Sequence, residues 1–233
     1  MDQRKFSEAL ESLAEALELA KVTQGQQLDL QATILIQKYL VLTYSSNEIE
    51  AFQTLEEAER LLEPAGPSRL ASIVLQNQLD YLSRTGDYPE AQRLLPRLEE
   101  MTADLGLEPD PVKLTWTRAR IAQGTGAPET SIRLFQEAQQ SFLEANQGYR
   151  AALVSLELAT VLFEQGQLQE VQQLAAQMLS VFRAQEIDRE ALAALALFEQ
   201  AAATKQLTER LVRDLVDYFH RAQGNPKLPF DPS

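Results

Sequence analysis

The chain has 233 residues, 45 % of them hydrophobic and 24 % charged, and these proportions exclude disorder of the whole chain. Its formal net charge of −13 excludes nucleic acid and anionic membrane surfaces as expected partners, because an acidic surface repels phosphate. The absence of cysteine excludes disulfides and thiolate metal ligands. With no apolar leader or membrane-spanning run in the sequence, we expect a cytoplasmic protein.

The predicted elements are all helices. Ala, Leu, Gln and Glu dominate the sequence, and all four are good helix formers. Apolar periodicity and well-marked starts and stops predict about eleven helices, over residues 6–24, 27–45, 48–63, 67–85, 88–105, 110–124, 128–145, 149–165, 167–184, 188–204 and 207–223. Three prolines after the last helix predict an extended tail over residues 224–233.

The chain contains an internal repeat. Gly86, Gly126 and Gly166 recur every 40 residues, each between two helical patterns. Five residues after each glycine stand the packing residues Ala91, Ser131 and Val171. A turn glycine can take the positive φ that other residues resist, and small residues let two helices approach closely. The pattern therefore predicts helix pairs, each joined by a glycine turn, that stack to bury their apolar faces.

This pattern resembles the tetratricopeptide repeat family. The resemblance rests on small residues after each glycine turn, on Leu158-Ala159 and Leu162 before one turn, and on Asp87-Tyr88 after another. It covers roughly residues 6–223 and implies one all-α domain, a right-handed superhelical solenoid of antiparallel helix pairs. The period of 40 exceeds the ~34 residues usual for the family, so we expect the longer repeats of a bacterial type. HEAT-type repeats, with a period near 40, remain the structural alternative.

The resemblance also implies a binding groove. In such solenoids the first helix of each pair lines a concave surface that binds a peptide or protein segment. The residues predicted to line it lie between the packed positions: Ile36, Leu40, Gln76, Asp80, Arg84, Lys113, Trp116, Arg120, Leu156, Thr160 and Phe163. Trp116, one helical turn from Lys113 and Arg120, is a candidate interface hot spot. Packing of Trp116 between neighbouring helices is the alternative.

No motif for catalysis, metal binding or cofactor binding is recognisable. His220 is the only histidine, and it has neither a cysteine nor a matching serine motif to form a nucleophile–base pair. Neighbouring carboxylates such as Glu56 and Glu57 point in different directions on a helix. We therefore expect a protein that is not an enzyme and needs no metal or cofactor.

Three functions remain open from the sequence. The leading hypothesis is a scaffold or adaptor that binds another protein or peptide in its groove. The alternatives are a regulatory sensor domain of a larger protein, binding a peptide or small effector, and a structural self-associating repeat. The first predicted helix matches the second half of a repeat, so the chain either is cut from a longer protein or begins on an exposed edge.

The last predicted helix carries an apolar stripe that includes Leu211, Leu215 and Phe219. We expect this stripe to pack against the tenth helix as a cap, leaving Arg210, Arg213 and Asp217 outward. That arrangement favours a monomer. A homodimer through this end helix is the alternative.

Overall fold

The computed structural model describes residues 3–22, 27–45, 47–107, 110–184, 189–204, 206–222 and 228–230. These residues form helices and turns, and no β-strand occurs among them. A short 3-10 turn, Glu63–Ala65, follows the third α-helix. In chain order the α-helices are α1 Gln3–Val22, α2 Leu28–Tyr44, α3 Glu48–Leu62, α4 Arg69–Thr85, α5 Tyr88–Asp104, α6 Pro111–Gly124, α7 Pro128–Glu144, α8 Gly148–Glu164, α9 Leu168–Ala184, α10 Arg189–Ala203 and α11 Glu209–Ala222.

The prediction of an all-helical chain with eleven helices is confirmed for the part of the chain that the structure describes. The largest difference is that α1 begins at Gln3, three residues before the predicted start. Of the predicted tail, only residues 228–230 lie within the described residues. None of the described helices is long and apolar enough to cross a lipid bilayer.

The turns that end α4, α6 and α8 share one geometry. Gly86, Gly126 and Gly166 have φ angles of 89°, 77° and 70°, in the left-handed region that favours glycine. In each turn the amide after the glycine donates to the carbonyl five residues back: Asp87 to Leu82, Ala127 to Ala122 and Gln167 to Leu162, at 2.8–2.9 Å. The 40-residue pattern in the sequence therefore corresponds to a repeated backbone structure.

The chain divides into two compact units, and unit 1 spans Met1–Pro109. In unit 1, α2 packs against α3 and α4 packs against α5, while α1 covers α2 and α3 contacts α4. Small buried residues, Ala51 on α3 and Ala91 on α5, lie at the predicted packing positions. The core of this unit includes Leu35, Tyr39, Leu42, Leu55, Leu62 and Val74.

Unit 2 spans Asp110–Ser233. In it, α6 pairs with α7 and α9 pairs with α10, whereas α8 packs against α7, α9 and α11. Most side chains of α8 are consequently buried, and most of its residues are apolar. Leu228 and Phe230 pack on the same core as partly buried residues. The expectation of a single repeat domain over residues 1–223 stays a prediction.

The apolar stripe of α11 lies inside unit 2. Leu215 and Phe219 are fully buried, and Arg210, Arg213 and Asp217 are exposed as expected. The stripe packs chiefly against α8 and only to a smaller extent against α10. The expectation that most of the stripe packs against α10 was therefore wrong. The main partner is α8, which is a longer helix than α10 and buries most of its side chains.

Candidate functional site

The residues predicted to line a groove lie on four helices, and the structure brings them together in two sets, one in each unit. Unit 1 holds Ile36 and Leu40 on α2, with Gln76, Asp80 and Arg84 on α4. Unit 2 holds the others on α6 and α8, namely Lys113, Trp116, Arg120, Leu156, Thr160 and Phe163. The joining of both sets into one groove stays a prediction.

In unit 1 the predicted residues form a partly open surface, here named the α2–α4 face and defined by Leu40, Gln76, Asp80 and Arg84. All four are half-buried, and α2 and α4 contact each other directly. Ile36, the fifth predicted residue, is buried and belongs to the core of the unit. The four defining residues thus expose surface that another molecule can contact.

Arg84 of the α2–α4 face forms an ion pair with a carboxylate of α3. Arg84 donates through Nη1 to Oε1 of Glu48 at 2.6 Å, and its guanidinium carbon lies 5.6 Å from the centre of the Tyr81 ring. Glu48 is in the first turn of α3, where a negative charge also favours the helix dipole. Burial raises the pKa of Tyr39 on α2, and the charge of nearby Asp80 raises it further, so the phenol stays neutral.

The amide of Gln76 is the unusual group on the α2–α4 face. Its Nε2 is shut off from solvent, yet it donates to no acceptor in the part of the chain that the structure describes. A buried donor without an acceptor destabilises a fold by about 1–3 kcal/mol. An acceptor supplied by a bound molecule would remove this penalty.

In unit 2 three side chains meet in a buried network. Glu157 on α8 accepts a hydrogen bond from Trp116 Nε1 at 2.7 Å and two from Arg120, through Nε and Nη2, each at 2.8 Å. The guanidinium carbon of Arg120 also lies 4.1 Å from the centre of the Trp116 ring. The side chains of Arg120 and Glu157 are only 5 % and 12 % exposed. Such a bidentate, stacked arrangement fixes both partners in one geometry.

His220 joins this network from α11, with its Nε2 3.7 Å from Oε1 of Glu157. Burial by itself raises the pKa of Glu157, but the charge and hydrogen bonds of Arg120, with a smaller contribution from His220, lower it to about 2. The carboxylate therefore stays ionised at neutral pH. A carboxylate with this pKa and these partners is poorly suited to proton transfer, and its evident role is to hold α6, α8 and α11 together.

One face of α8 carries three of the predicted groove residues and begins beneath α11. Leu156, Thr160 and Phe163 share one helical face with Tyr149, because their spacings of three, four and seven residues repeat the helical turn. The Tyr149 ring is 6.2 Å from that of Phe219 on α11. Leu156 is fully buried. The start of this face of α8, at Tyr149, therefore packs against a helix of the same chain.

The remaining predicted residues of unit 2 differ in exposure. Lys113 is exposed near the start of α6, and Thr160 is half-buried with its hydroxyl donating to the Leu156 carbonyl at 3.1 Å. Phe163 borders an apolar pocket of about 230 Å³ that Leu168 and Leu207 also line. Trp116 is 7 % exposed and packs edge-on against Phe142 at 5.6 Å between ring centres.

Sequence reasoning missed Glu157 and its link to His220. A signal in the sequence does exist, because Glu157 is the only charged residue between Arg150 and Glu164, in a run that is otherwise uncharged and mostly apolar. A lone carboxylate on a helix buried all round requires a partner of opposite charge. The sequence does not give the identity of that partner, since Arg120 is 37 residues away.

Two further observations concern chemistry and relatedness. Among the described residues, no group of three or more His, Asp or Glu side chains is placed to hold a metal ion. A comparison with protein-family models finds no match, and neither does a comparison with curated proteins. The arguments for function therefore depend on the geometry of this chain alone.

Proposed function

We propose that the chain is a protein–protein interaction module, a scaffold or adaptor that binds a peptide or protein segment without catalysing a reaction. The observation that carries the proposal is the half-buried α2–α4 face, in which the side-chain amide of Gln76 has a nitrogen without an acceptor among the described residues. After a rotation of the half-buried Gln76 side chain, its amide would donate to a carbonyl of a bound segment. Leu40 would contribute apolar contact.

The proposal includes the right-handed superhelical solenoid of tetratricopeptide type. The repeated turn geometry at Gly86, Gly126 and Gly166 supports it. The burial of Ala91, Ser131 and Val171 at matching positions is a second argument. We also propose a cytoplasmic location, because proteins of oxidising compartments commonly carry disulfides and this chain has no cysteine.

Unit 2 supplies an analogy for the kind of segment that the α2–α4 face would bind. In unit 2 the apolar stripe of α11 packs against α8, with Phe219 near Tyr149, and His220 of α11 reaches Glu157. Recognition of an amphipathic helix in an apolar groove is a common binding mode. By analogy within the chain, we propose that the α2–α4 face binds a helical segment of a partner protein.

The test is affinity capture from source cells with the wild-type chain and two variants. Leu40→Glu places a charge on the α2–α4 face, and Gln92→Glu adds the same charge to an exposed position on α5. After circular dichroism has verified that both fold, we expect a partner bound by wild type and Gln92→Glu to be lost with Leu40→Glu. Retention of every partner by Leu40→Glu would refute the proposed site.

Self-association is the second candidate, because a specific feature favours it. Leu19 and Val22 at the end of α1 are 66 % and 77 % exposed, and Leu30 at the start of α2 is 45 % exposed. Exposed apolar clusters often mark interaction surfaces. Light scattering at increasing concentration separates the candidates: a dimer that Leu19→Glu converts to a monomer would favour self-association.

A further inference from the structure

A cleft in unit 1 shares only α4 with the α2–α4 face. Here named the α3–α5 cleft, it has a volume of about 400 Å³ and is lined by side chains of α3, α4, α5 and the turn after α3. Ligand-binding clefts in proteins commonly have volumes of this order. Its lining includes no member of the predicted groove.

The lining of the α3–α5 cleft is strongly acidic. Four carboxylates border it, those of Glu59, Glu63, Glu100 and Asp104, against the single guanidinium of Arg97, a formal charge of −3. Arg97 donates through Nη1 to Oε1 of Glu59 at 2.7 Å. That pairing compensates one carboxylate, so the excess negative charge belongs to the other three. Such a lining attracts a cation.

Gln78 supplies a second and independent observation. Its side chain borders the cleft and is only 3 % exposed, and its Nε2 donates to Oε2 of Glu59 at 2.8 Å. Because a carboxylate only accepts, this bond fixes which end of the Gln78 amide is nitrogen and which is oxygen. The oxygen, Oε1, is buried and accepts no hydrogen bond from any described residue.

Apolar side chains complete the cleft. Leu62 on α3, Val74 and Leu75 on α4, and Met101 on α5 border it. A ligand that suits all three features needs an aliphatic part for these walls, a positive charge for the carboxylates, and an N–H donor for Gln78. An arginine side chain has each of these, with five donors in a planar fork on a three-carbon stem.

We propose that the α3–α5 cleft is a binding site for an arginine side chain of a partner protein. This site goes beyond the proposed α2–α4 face and does not depend on it. The guanidinium would lie among Glu63, Glu100 and Asp104, with its stem packed on Leu62 and Met101. A rotation of the Gln78 side chain would bring Oε1 within reach of one of its N–H groups. The cleft is larger than one side chain, which leaves room for the neighbouring residues of a bound segment.

The test uses nuclear magnetic resonance titration of the full chain with two capped tripeptides. The probe is acetyl-Ala-Arg-Ala-amide, and its uncharged counterpart carries citrulline in place of arginine. We expect saturable shifts of the Gln78 side-chain amide with the arginine probe, and about tenfold weaker binding of the citrulline probe, since charged donors bond about twice as strongly. Equal binding of both probes would overturn the proposal.

Variants locate the site. The double variant Glu63→Gln with Glu100→Gln removes two charges from the cleft. We expect each of the two substitutions to weaken binding of the arginine probe about two- to fivefold. The matched control, Glu56→Gln with Glu57→Gln, removes two exposed charges outside the cleft and should leave affinity unchanged. Equal weakening by both pairs would indicate only a diffuse charge effect and would overturn the site.

Two further measurements test the role of Gln78 and the kind of ligand that the cleft binds. Gln78→Met, once circular dichroism verifies its fold, should weaken the arginine probe by at least threefold, and unchanged affinity would overturn the role of Oε1. The small cation 1-propylguanidine should bind more weakly than the tripeptide. Tighter binding of 1-propylguanidine would mean that the cleft takes a free small cation and would overturn the assignment to a partner protein.

Discussion

Neutralising Glu157 tests whether the charged network of unit 2 exists in solution as the structure places it. Glu157→Gln keeps the shape of the side chain but removes the negative charge that faces Arg120. The guanidinium cannot lose its proton, and its side chain is only 5 % exposed. The variant therefore removes the carboxylate charge that pairs with a buried guanidinium.

The size of the effect follows from two separate arguments. The pKa of Glu157 is about 2 in the folded chain against an ordinary value of 4.5, and this gap corresponds to about 3 kcal/mol. Removing one partner of a buried ion pair costs about 3–5 kcal/mol in other proteins. We expect Glu157→Gln to lower the free energy of unfolding of unit 2 by about 3 kcal/mol.

Urea denaturation followed by tryptophan fluorescence measures this loss. Trp116 is the only tryptophan and belongs to the network itself, so its emission reports on unit 2. The control is Glu137→Gln, which breaks an exposed pair with Arg133 and should change stability by less than about 1 kcal/mol. A loss for Glu157→Gln no greater than that of the control would refute the buried network.

Three other predictions concern the same fold. Because the pKa of Glu157 is lower in the folded chain, its stabilisation is complete above about pH 4.5 and fades toward pH 2, so urea midpoints should fall in that window for wild type but much less for Glu157→Gln. Phe219→Ala should destabilise unit 2 by about 3–5 kcal/mol in the same assay, since Phe219 is fully buried between α11 and α8. Gly86→Ala should lower the free energy of unfolding by about 1–2 kcal/mol in calorimetry, because φ is 89° at that residue. Gly148→Ala, at a residue without positive φ, should leave the free energy of unfolding unchanged.

The helices and turns could be predicted from the sequence because their determinants are local. A bond such as that from Asp87 to Leu82 spans five residues, and the glycine between them identifies it. The same holds for Asp110, whose side chain accepts from the amides of Val112 and Lys113 at the start of α6. Apolar periodicity then predicts which side of each helix is buried.

The candidate sites could be predicted only in part, because they depend on contacts between distant segments. Trp116 and Arg120 were singled out from their residue types, yet their common partner Glu157 lies on a helix about 40 residues further along. The packing of α11 on α8 follows from the area of apolar surface that each offers, which helical periodicity does not rank. The acidic cleft, likewise, requires the meeting of three helices.

Direct contact at the α2–α4 face is the most decisive test of the proposed function. Leu40 is replaced by the photoreactive residue p-benzoylphenylalanine, and Gln92 is replaced in the same way in a second sample as the matched control. After irradiation in source cells, we predict a cross-linked partner protein from position 40 and none of the same mass from position 92. Capture of that partner equally from both positions, or from position 92 alone, would contradict binding at the α2–α4 face.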